Sequence, residues 1–358
     1  AANYAAGRRI EAVRAQPGLA RRLLAGIIVL NLLPLVFYKL ISGYGTAWLG
    51  LFLMPEGIDA LQQHGLPLGL SYIVFQLISY QVDVYNELAD SEKRFLTFAL
   101  YVLLFPKIIV GPITRYRDLA AQFEERQLTP AGVAEGVRRF ILGLAKKALI
   151  ADTLGRIVNP AFDLPAPNFS TGIAWLVTVG YALQLYFDFS GYTDMAIGLG
   201  QMLGFRFVEN FNYPYISKSI SEFWRRWHIS LSSWFRDYVF YPLEFTRRRA
   251  DRLRQQLHVL IVFLLTGLWH GLTLTFVAWG LLHGLAIALE MGGLGRALKR
   301  AWAPLQHAYA LAVILVGWVF FRSASLSYAG QFLARLAGWQ GGITPLPYTM
   351  TQPLPVID

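Results

Sequence analysis

Uncharged apolar runs alternate with short basic stretches along this chain of 358 residues. Residues 23–38, 164–187, 257–289 and 308–321 contain no Lys, Arg, Asp or Glu. A helix needs about 20 mostly apolar residues to cross a bilayer. Flanking residues extend some of these runs to that length and leave others short. The pattern predicts an all-α polytopic membrane protein in which several segments are tilted, broken or re-entrant.

Basic residues mark the expected cytoplasmic side. Arg8, Arg9, Arg14, Arg21 and Arg22 precede the first span, over residues 23–41, which then runs outward. No Lys or Arg occurs between Lys39 and Lys93, so a loop around Glu56 and Asp59 is expected outside. A second span over residues 66–84 returns to Lys93 and Arg94. Residues 95–113 contain Pro106, Lys107, Gly111 and Pro112, which predict a broken or re-entrant helix. Irregular backbone at that depth requires surrounding protein or a water-filled cavity.

Residues 136–151 read as basic and apolar, and 159–168 as a proline-rich outer linker. Residues 176–187 lead to a polar cluster expected at a helix end, 188–194. Residues 219–238 suggest one amphipathic helix at the interface, with Ser219 and Ser221 as candidate caps. Residues 247–254 read as an exposed basic loop. The 33 residues from 257 to 289 are too few for two full spans, and Arg254 and Arg296 flank them. Two short re-entrant halves are expected, with the break near His270. The tail after Trp339 reads as loop. No internal repeat or second domain is visible, so residues 1–358 are expected to form one membrane-embedded domain.

Composition agrees with this division. The chain is 55% hydrophobic and 15% charged, against roughly 25% charged in soluble domains. Its net charge of +10 would favour nucleic acid in a soluble protein. Here the basic residues sit between apolar runs, which fits loops facing anionic lipid and argues against a nucleic-acid partner. With no cysteine there is no disulfide, thiolate metal site or cysteine nucleophile. No signal peptide is visible, and Ala1 is not a methionine.

Candidate chemistry centres on His270, in Gly267-Leu-Trp-His-Gly271. An ionisable group at bilayer depth is costly and marks a functional site by default. Histidine also exchanges protons near neutral pH. The alternative is a packing histidine bonded to a neighbouring carbonyl. His228, on one helix, would share a face with Trp224 and Ser232; alone it reads as an interfacial histidine. His283 reads as a helix-packing residue. Asp188 and Asp194 are candidates to orient a histidine or bind a polar substrate group. Equally, they read as caps or as partners of Arg206, Arg225 or Arg226. His228, His258, His270 and His283 lack the spacing of a helical zinc site, so no metal is expected. No nucleophile elbow, P-loop or dinucleotide fingerprint is present.

Together, several stretches resemble the membrane-bound O-acyltransferase family. They are Tyr186-Phe-Asp-Phe-Ser-Gly-Tyr-Thr-Asp-Met-Ala-Ile-Gly198, Asn210-Phe-Asn-Tyr-Pro-Tyr215, Phe223-Trp-Arg-Arg-Trp-His-Ile-Ser-Leu-Ser-Ser-Trp-Phe-Arg-Asp-Tyr-Val239 and Gly267-Leu-Trp-His-Gly271. Gly111-Pro-Ile-Thr-Arg-Tyr116 is similar too. The likeness runs from about residue 20 to 325 and points to the bacterial alginate O-acetylation branch, with teichoic acid D-alanine transfer more distant.

The resemblance implies a ring of tilted and re-entrant helices around a central tunnel in the bacterial cytoplasmic (inner) membrane. It implies His270 as catalytic histidine and His228 as the second histidine, near the tunnel's cytoplasmic mouth. Trp269 and Trp227 would shape the tunnel. Arg225 and Arg226 would attract an anionic thioester donor, acetyl-coenzyme A or an acyl carrier protein, with Asp188 and Asp194 in support. No bound cofactor is implied. Expected partners are membrane lipid, a polysaccharide acceptor and a periplasmic or extracellular acetyltransferase. The branch's usual N-terminal hydrophobic segments are absent before Ala1, and the C-terminus looks short, so natural terminal segments are expected to be missing. D-alanyl transfer and a proton-coupled transporter remain alternatives. A transporter usually shows paired broken helices in repeated halves, and no such repeat is visible.

Overall fold

Among the described residues, the apolar runs lie mostly in helices and there is no strand. The computed structural model describes residues 1–42, 67–165, 170–245 and 251–339. The expected outer loop at Glu56 and Asp59, residues 166–168 of the proline-rich linker, residues 247–250 of the basic loop and the tail beyond Trp339 lie outside them.

In chain order the principal helices are α1 (Ala2–Ala12), α2 (Pro17–Ser42), α3 (Leu70–Tyr85), α4 (Phe95–Leu103), α5 (Phe105–Ile108), α6 (Pro130–Ala145) and α7 (Asp152–Phe162). There follow α8 (Thr171–Met202), α9 (Ile220–Arg226), α10 (Ile229–Phe235), α11 (Arg252–His270), α12 (Leu274–Leu289), α13 (Ala303–Arg322) and α14 (Leu326–Leu336).

Among the described residues, the segments Pro17–Leu40, Leu274–Arg300 and Ala303–Arg322 are long and apolar enough to cross a membrane. Val29, Leu30, Leu33 and Val36 on α2 are exposed, as are Leu176 and Val179 on α8. Such apolar surface suits a lipid environment. Polar groups collect inside instead. On α3, Gln76, Gln81 and Asp83 are fully buried, and Asp83 accepts a 2.8 Å hydrogen bond from the Tyr238 hydroxyl.

The expected break in residues 95–113 occurs at Leu104, between α4 and α5. Pro106 lies in the first turn of α5, where a missing N–H loses nothing. Lys107 is fully buried and donates to Gln76 Oε1 at 2.8 Å. A buried amine requires such a partner, and the same contact ties the broken segment to α3.

Two glycine-lined contacts set the remaining frame. α6 crosses α8 where Gly136 and Gly143 meet Gly198 and Gly191. A Cβ on Gly136 would lie 2.6 Å from the Gly198 carbonyl oxygen, and one on Gly143 2.6 Å from that of Gly191. α11 and α12 form a tight hairpin in the same way, since a Cβ on Gly267 would lie 2.4 Å from the Phe276 carbonyl oxygen. Small residues allow this backbone approach in membrane helices.

Four sequence expectations change. Residues 219–238 are not one helix: α9 ends at Arg226, and α10 begins after His228. The 188–194 cluster lies inside α8 rather than at its end, because α8 continues unbroken to Met202. Residues 159–162 of the expected linker complete α7, with Pro160 inside the helix. The hairpin is longer than its uncharged core. α11 starts at Arg252, and α12 runs through a π-helical turn, Glu290–Leu294, into Gly295–Arg300. Charged residues at the ends supply the length that residues 257–289 lack.

Candidate active site

The α11–α12 turn carries His270. Helix α11 ends at this residue, and the extended Gly271 redirects the chain into α12. The imidazole stands among four aromatic rings. Trp269 is 4.6 Å away between centroids, Phe321 5.0 Å, Trp279 5.1 Å and Phe276 6.1 Å. Lys39, from α2, reaches the His270 carbonyl oxygen at 3.5 Å. His270 is partly open, whereas Trp279 is buried.

His228 sits in the two-residue link between α9 and α10. Its backbone is left-handed, at φ 44°, which is sparsely populated for a residue with a Cβ. Such a conformation persists only where its surroundings impose it. Asn210, itself buried, does so. Its backbone carbonyl accepts from the Ile229 amide at 3.0 Å. Its side-chain oxygen accepts from the Ser230 amide (3.1 Å) and the Ser230 hydroxyl (3.0 Å), and faces His228 Nδ1 at 3.2 Å.

That set of contacts fixes the tautomer. An oxygen already receiving two donors meets Nδ1 only as a third, so Nδ1 carries the proton. In the neutral ring, Nε2 is then the lone-pair nitrogen, and it has no partner among the described residues. The Trp269 indole N–H is also buried without a partner. Trp269 contacts both histidines, at 6.3 Å from the His228 ring and 4.6 Å from the His270 ring. It is held from behind by Phe75, stacked at 5.4 Å. Buried polar groups are rarely left unpaired, and His228 Nε2 and the Trp269 N–H are two such groups on neighbouring rings.

Trp227 points the other way, into the main aromatic core. It packs on Phe211 at 5.0 Å and Trp318 at 5.0 Å. Among the described residues its ring contacts do not include His270, which Trp269 flanks instead. Arg225 is exposed and lines a cavity of about 460 Å³ with Ser221, Trp224, Ser232, Phe263 and Thr266. Arg226 is paired with Glu222 at 2.9 Å and donates to the Asn212 carbonyl at 3.2 Å. Burial alone would raise the Glu222 carboxyl. The Lys218 amide and Arg226 guanidinium outweigh it and hold that group below the usual carboxylate range. Arg226 is therefore already neutralised, which leaves Arg225 as the freer charge.

Asp188 and Asp194 contact neither histidine. Asp194 binds Arg139 at 2.9 Å and Lys146 at 2.6 Å, and Asp188 binds Lys147 at 2.8 Å. Asp194 joins α8 to α6 and to the π-helical turn after it, Lys146–Ala151, and Asp188 joins α8 to that turn. The ion-pair reading was right in kind, but the partners come from a helix some 45 residues upstream rather than from Arg206, Arg225 or Arg226. Among the described residues no group of three His, Cys, Asp or Glu side chains could hold a metal ion. His258 instead pairs with Glu244 at 2.5 Å. Asn210, Phe75 and Trp279 are the site residues that pattern reading gave no role. Asn210 lies within a quoted motif, but no periodicity links a loop asparagine to a histidine 18 positions later.

The sequence model of the membrane-bound O-acyltransferase family matches residues 26–324. The chain belongs to this family. Its relatives within and around the family include the probable alginate O-acetylase AlgI of Azotobacter vinelandii, 42% identical over 336 residues. That alignment covers 93% of this chain and 66% of the relative. The peptidoglycan O-acetyltransferase of Helicobacter pylori is 32% identical over 315 residues, covering 77% of this chain and 58% of that protein. The teichoic acid D-alanyltransferase of Bacillus subtilis is 34% identical over 222 residues, covering 59% and 55%. The chain thus spans about two thirds, or less, of the length of these relatives. Family membership agrees with the apolar helices in placing the chain in a membrane.

Proposed function

We propose that this chain is the membrane-embedded acyltransferase of an alginate-like O-acetylation system in a bacterial inner membrane. It would move an acetyl group from a cytoplasmic thioester toward an extracytoplasmic polysaccharide. The observation that carries the reading is 42% identity over 93% of the chain with a probable alginate O-acetylase. Likeness to the D-alanyltransferase covers only 59% of the chain, so D-alanyl transfer is the weaker alternative. In this reading the chain forms one domain, with its helices ringed around a tunnel that the donor enters from the cytoplasm.

The chemistry follows from the two histidines. His270, at the turn of the hairpin, takes the proton from the acceptor hydroxyl. The oxygen attacks the thioester carbonyl, the tetrahedral adduct collapses, the C–S bond breaks, and the proton passes to the leaving thiolate. The net change is thioester plus alcohol to ester plus thiol. His228, with Nε2 free, sits where it can hold the donor or return the proton. The Trp269 N–H is a donor for the carbonyl oxygen as negative charge develops there. Arg225, at its cavity, would attract the anionic part of a coenzyme A or carrier-protein donor. A periplasmic or extracellular acetyltransferase partner would finish transfer to the polysaccharide.

The test is release of labelled acetyl from acetyl-coenzyme A, or from an acetylated carrier protein, by purified protein in lipid discs. His270→Ala is expected to lower turnover about 10²–10⁴-fold, the usual weight of a general base, while leaving the thermal midpoint unchanged. Equal turnover in both proteins would remove His270 from the mechanism.

A further inference from the structure

The geometry points to Glu290 and His283 as a two-point clamp that seats α9 and thereby places His228. This rests on the role proposed for His228, and it goes further in naming what positions it. Helix α9 has only seven residues. Isolated helices shorter than about 12–15 residues are marginal, so contacts from elsewhere must fix it. Asn212 bonds its last residue, Arg226, and two further polar contacts come from the helix that leads away from His270.

The first contact is at the N-terminus of α9. The Glu290 carboxylate accepts from the Ile220 amide at 2.6 Å, the Ser221 amide at 3.0 Å and the Ser221 hydroxyl at 2.5 Å. The Ser219 hydroxyl takes the next amide, Glu222, at 3.0 Å. The amides of the first helical turn, which have no partner within the helix, are thus all satisfied. Glu290 is 8% exposed, and the Tyr309 hydroxyl donates to it at 3.2 Å. A carboxylate on helical amides is also favoured by the helix dipole.

The second contact is one turn before His228. The Trp224 indole N–H donates to His283 Nδ1 at 3.3 Å. His283 is fully buried among Phe223, Trp224, Trp279 and Trp318. Its ring fits because position 317 is glycine: a Cβ there would lie 2.7 Å from Nε2. Residues 283 and 290 are two turns apart, so they share one face of the helix. That face grips α9 at its start and near its end. The next two residues after α9 are Trp227 and His228, whose ring faces Trp269. His283 is thus more than packing, because its acceptor nitrogen aims a tryptophan of the segment that ends in His228.

Hydrogen–deuterium exchange of residues 219–228 tests the seating without relying on activity. Glu290→Ala is expected to speed exchange of that segment at least tenfold, while peptides from α8 stay unchanged. His283→Leu is expected to do the same near Trp224. His283→Asn, whose amide oxygen replaces Nδ1 as acceptor, is expected to restore protection. Unchanged exchange in Glu290→Ala overturns the clamp.

Turnover supplies the second arm. Glu290→Ala is expected to lower kcat at least tenfold with little change in donor KM, and to add nothing further in a His228→Ala background. Losses that simply multiply would show that Glu290 does not act through His228 and would also overturn the proposal. If the wild-type protein transfers no acetyl group, the failure belongs to the functional reading, and the exchange arm still decides the clamp.

Discussion

His228 has an unfavourable backbone conformation, and Asn210 supplies the bonds just after it. Asn210 accepts from the Ile229 amide with its backbone carbonyl, and its side-chain oxygen accepts from Ser230 and faces His228 Nδ1. Replacing it by Ala leaves the backbone bond but strands the Ser230 amide, the Ser230 hydroxyl and His228 Nδ1. A stranded buried donor costs about 1–3 kcal/mol. Nothing then selects the tautomer that frees Nε2. Asn210→Ala is therefore expected to lower acetyl transfer tenfold or more, and Asn210→Asp, which keeps the acceptor, far less. Equal losses in the two variants would show that the side-chain oxygen is not what matters. Sequence patterning identified His228 and His270 for opposite reasons. His270 stood out because no charged residue lies near it, whereas His228 was one aromatic-flanked position among many. The stretch carrying His228 reads as continuous helix because its apolar spacing continues through Trp227 and His228. Only the bonds from Asn210, 18 positions earlier, break it there.

At the scale of elements, the hairpin depends on backbone contact. Gly267 and Gly280 face each other, and a Cβ on Gly280 would lie 2.4 Å from the Phe263 carbonyl oxygen. Backbone cannot rotate out of the way, so Gly280→Ala must push α12 off α11. Overpacking of this kind costs about 1–3 kcal/mol, and it displaces Trp279, the neighbour of His270. A lower thermal midpoint in detergent is expected, with reduced turnover. Gly26→Ala on α2, where nothing lies within 4 Å, is expected to be neutral or slightly stabilising. If the two variants melt alike, close approach is not what holds the hairpin. The break at Leu104 and the turn after His270 were legible in advance, because proline, glycine and a shortage of apolar length all pointed to them. The glycine seam between α6 and α8 was not. Its partners, Gly136 with Gly198 and Gly143 with Gly191, are far apart in sequence, and Gly191 and Gly198 sit in a stretch whose aspartates drew attention to themselves. Of those aspartates, Asp194 binds Arg139 on α6, the helix that the glycines let approach, and Asp188 binds Lys147 just beyond its end.

For the whole molecule, the distribution of charge makes a claim about sidedness that the hairpin makes testable. The two ends of the α11–α12 hairpin lie together, since the Arg252 guanidinium donates to the Met291 carbonyl and Gln256 reaches the Ala288 carbonyl at 2.7 Å. The proposed transfer requires both ends to face the cytoplasm and His270 to lie at membrane depth, reached from one side by the donor and from the other by the acceptor. Leu68, just before α3, is expected on the opposite face, because no Lys or Arg occurs between Lys39 and Lys93. The chain has no cysteine, so single cysteines report position without background. Leu253, Arg296 and Leu68 are exposed, which makes each accessible to a reagent. In intact cells made permeable only at the outer membrane, an impermeant maleimide is expected to label Leu68→Cys and to spare Leu253→Cys and Arg296→Cys. Inverted inner-membrane vesicles should reverse the pattern. Labelling of Leu253→Cys and Arg296→Cys from opposite sides would mean that only one of α11 and α12 crosses the bilayer. His270 would then lie outside any site shared by the two faces, and transfer across the membrane through this histidine would have to be abandoned.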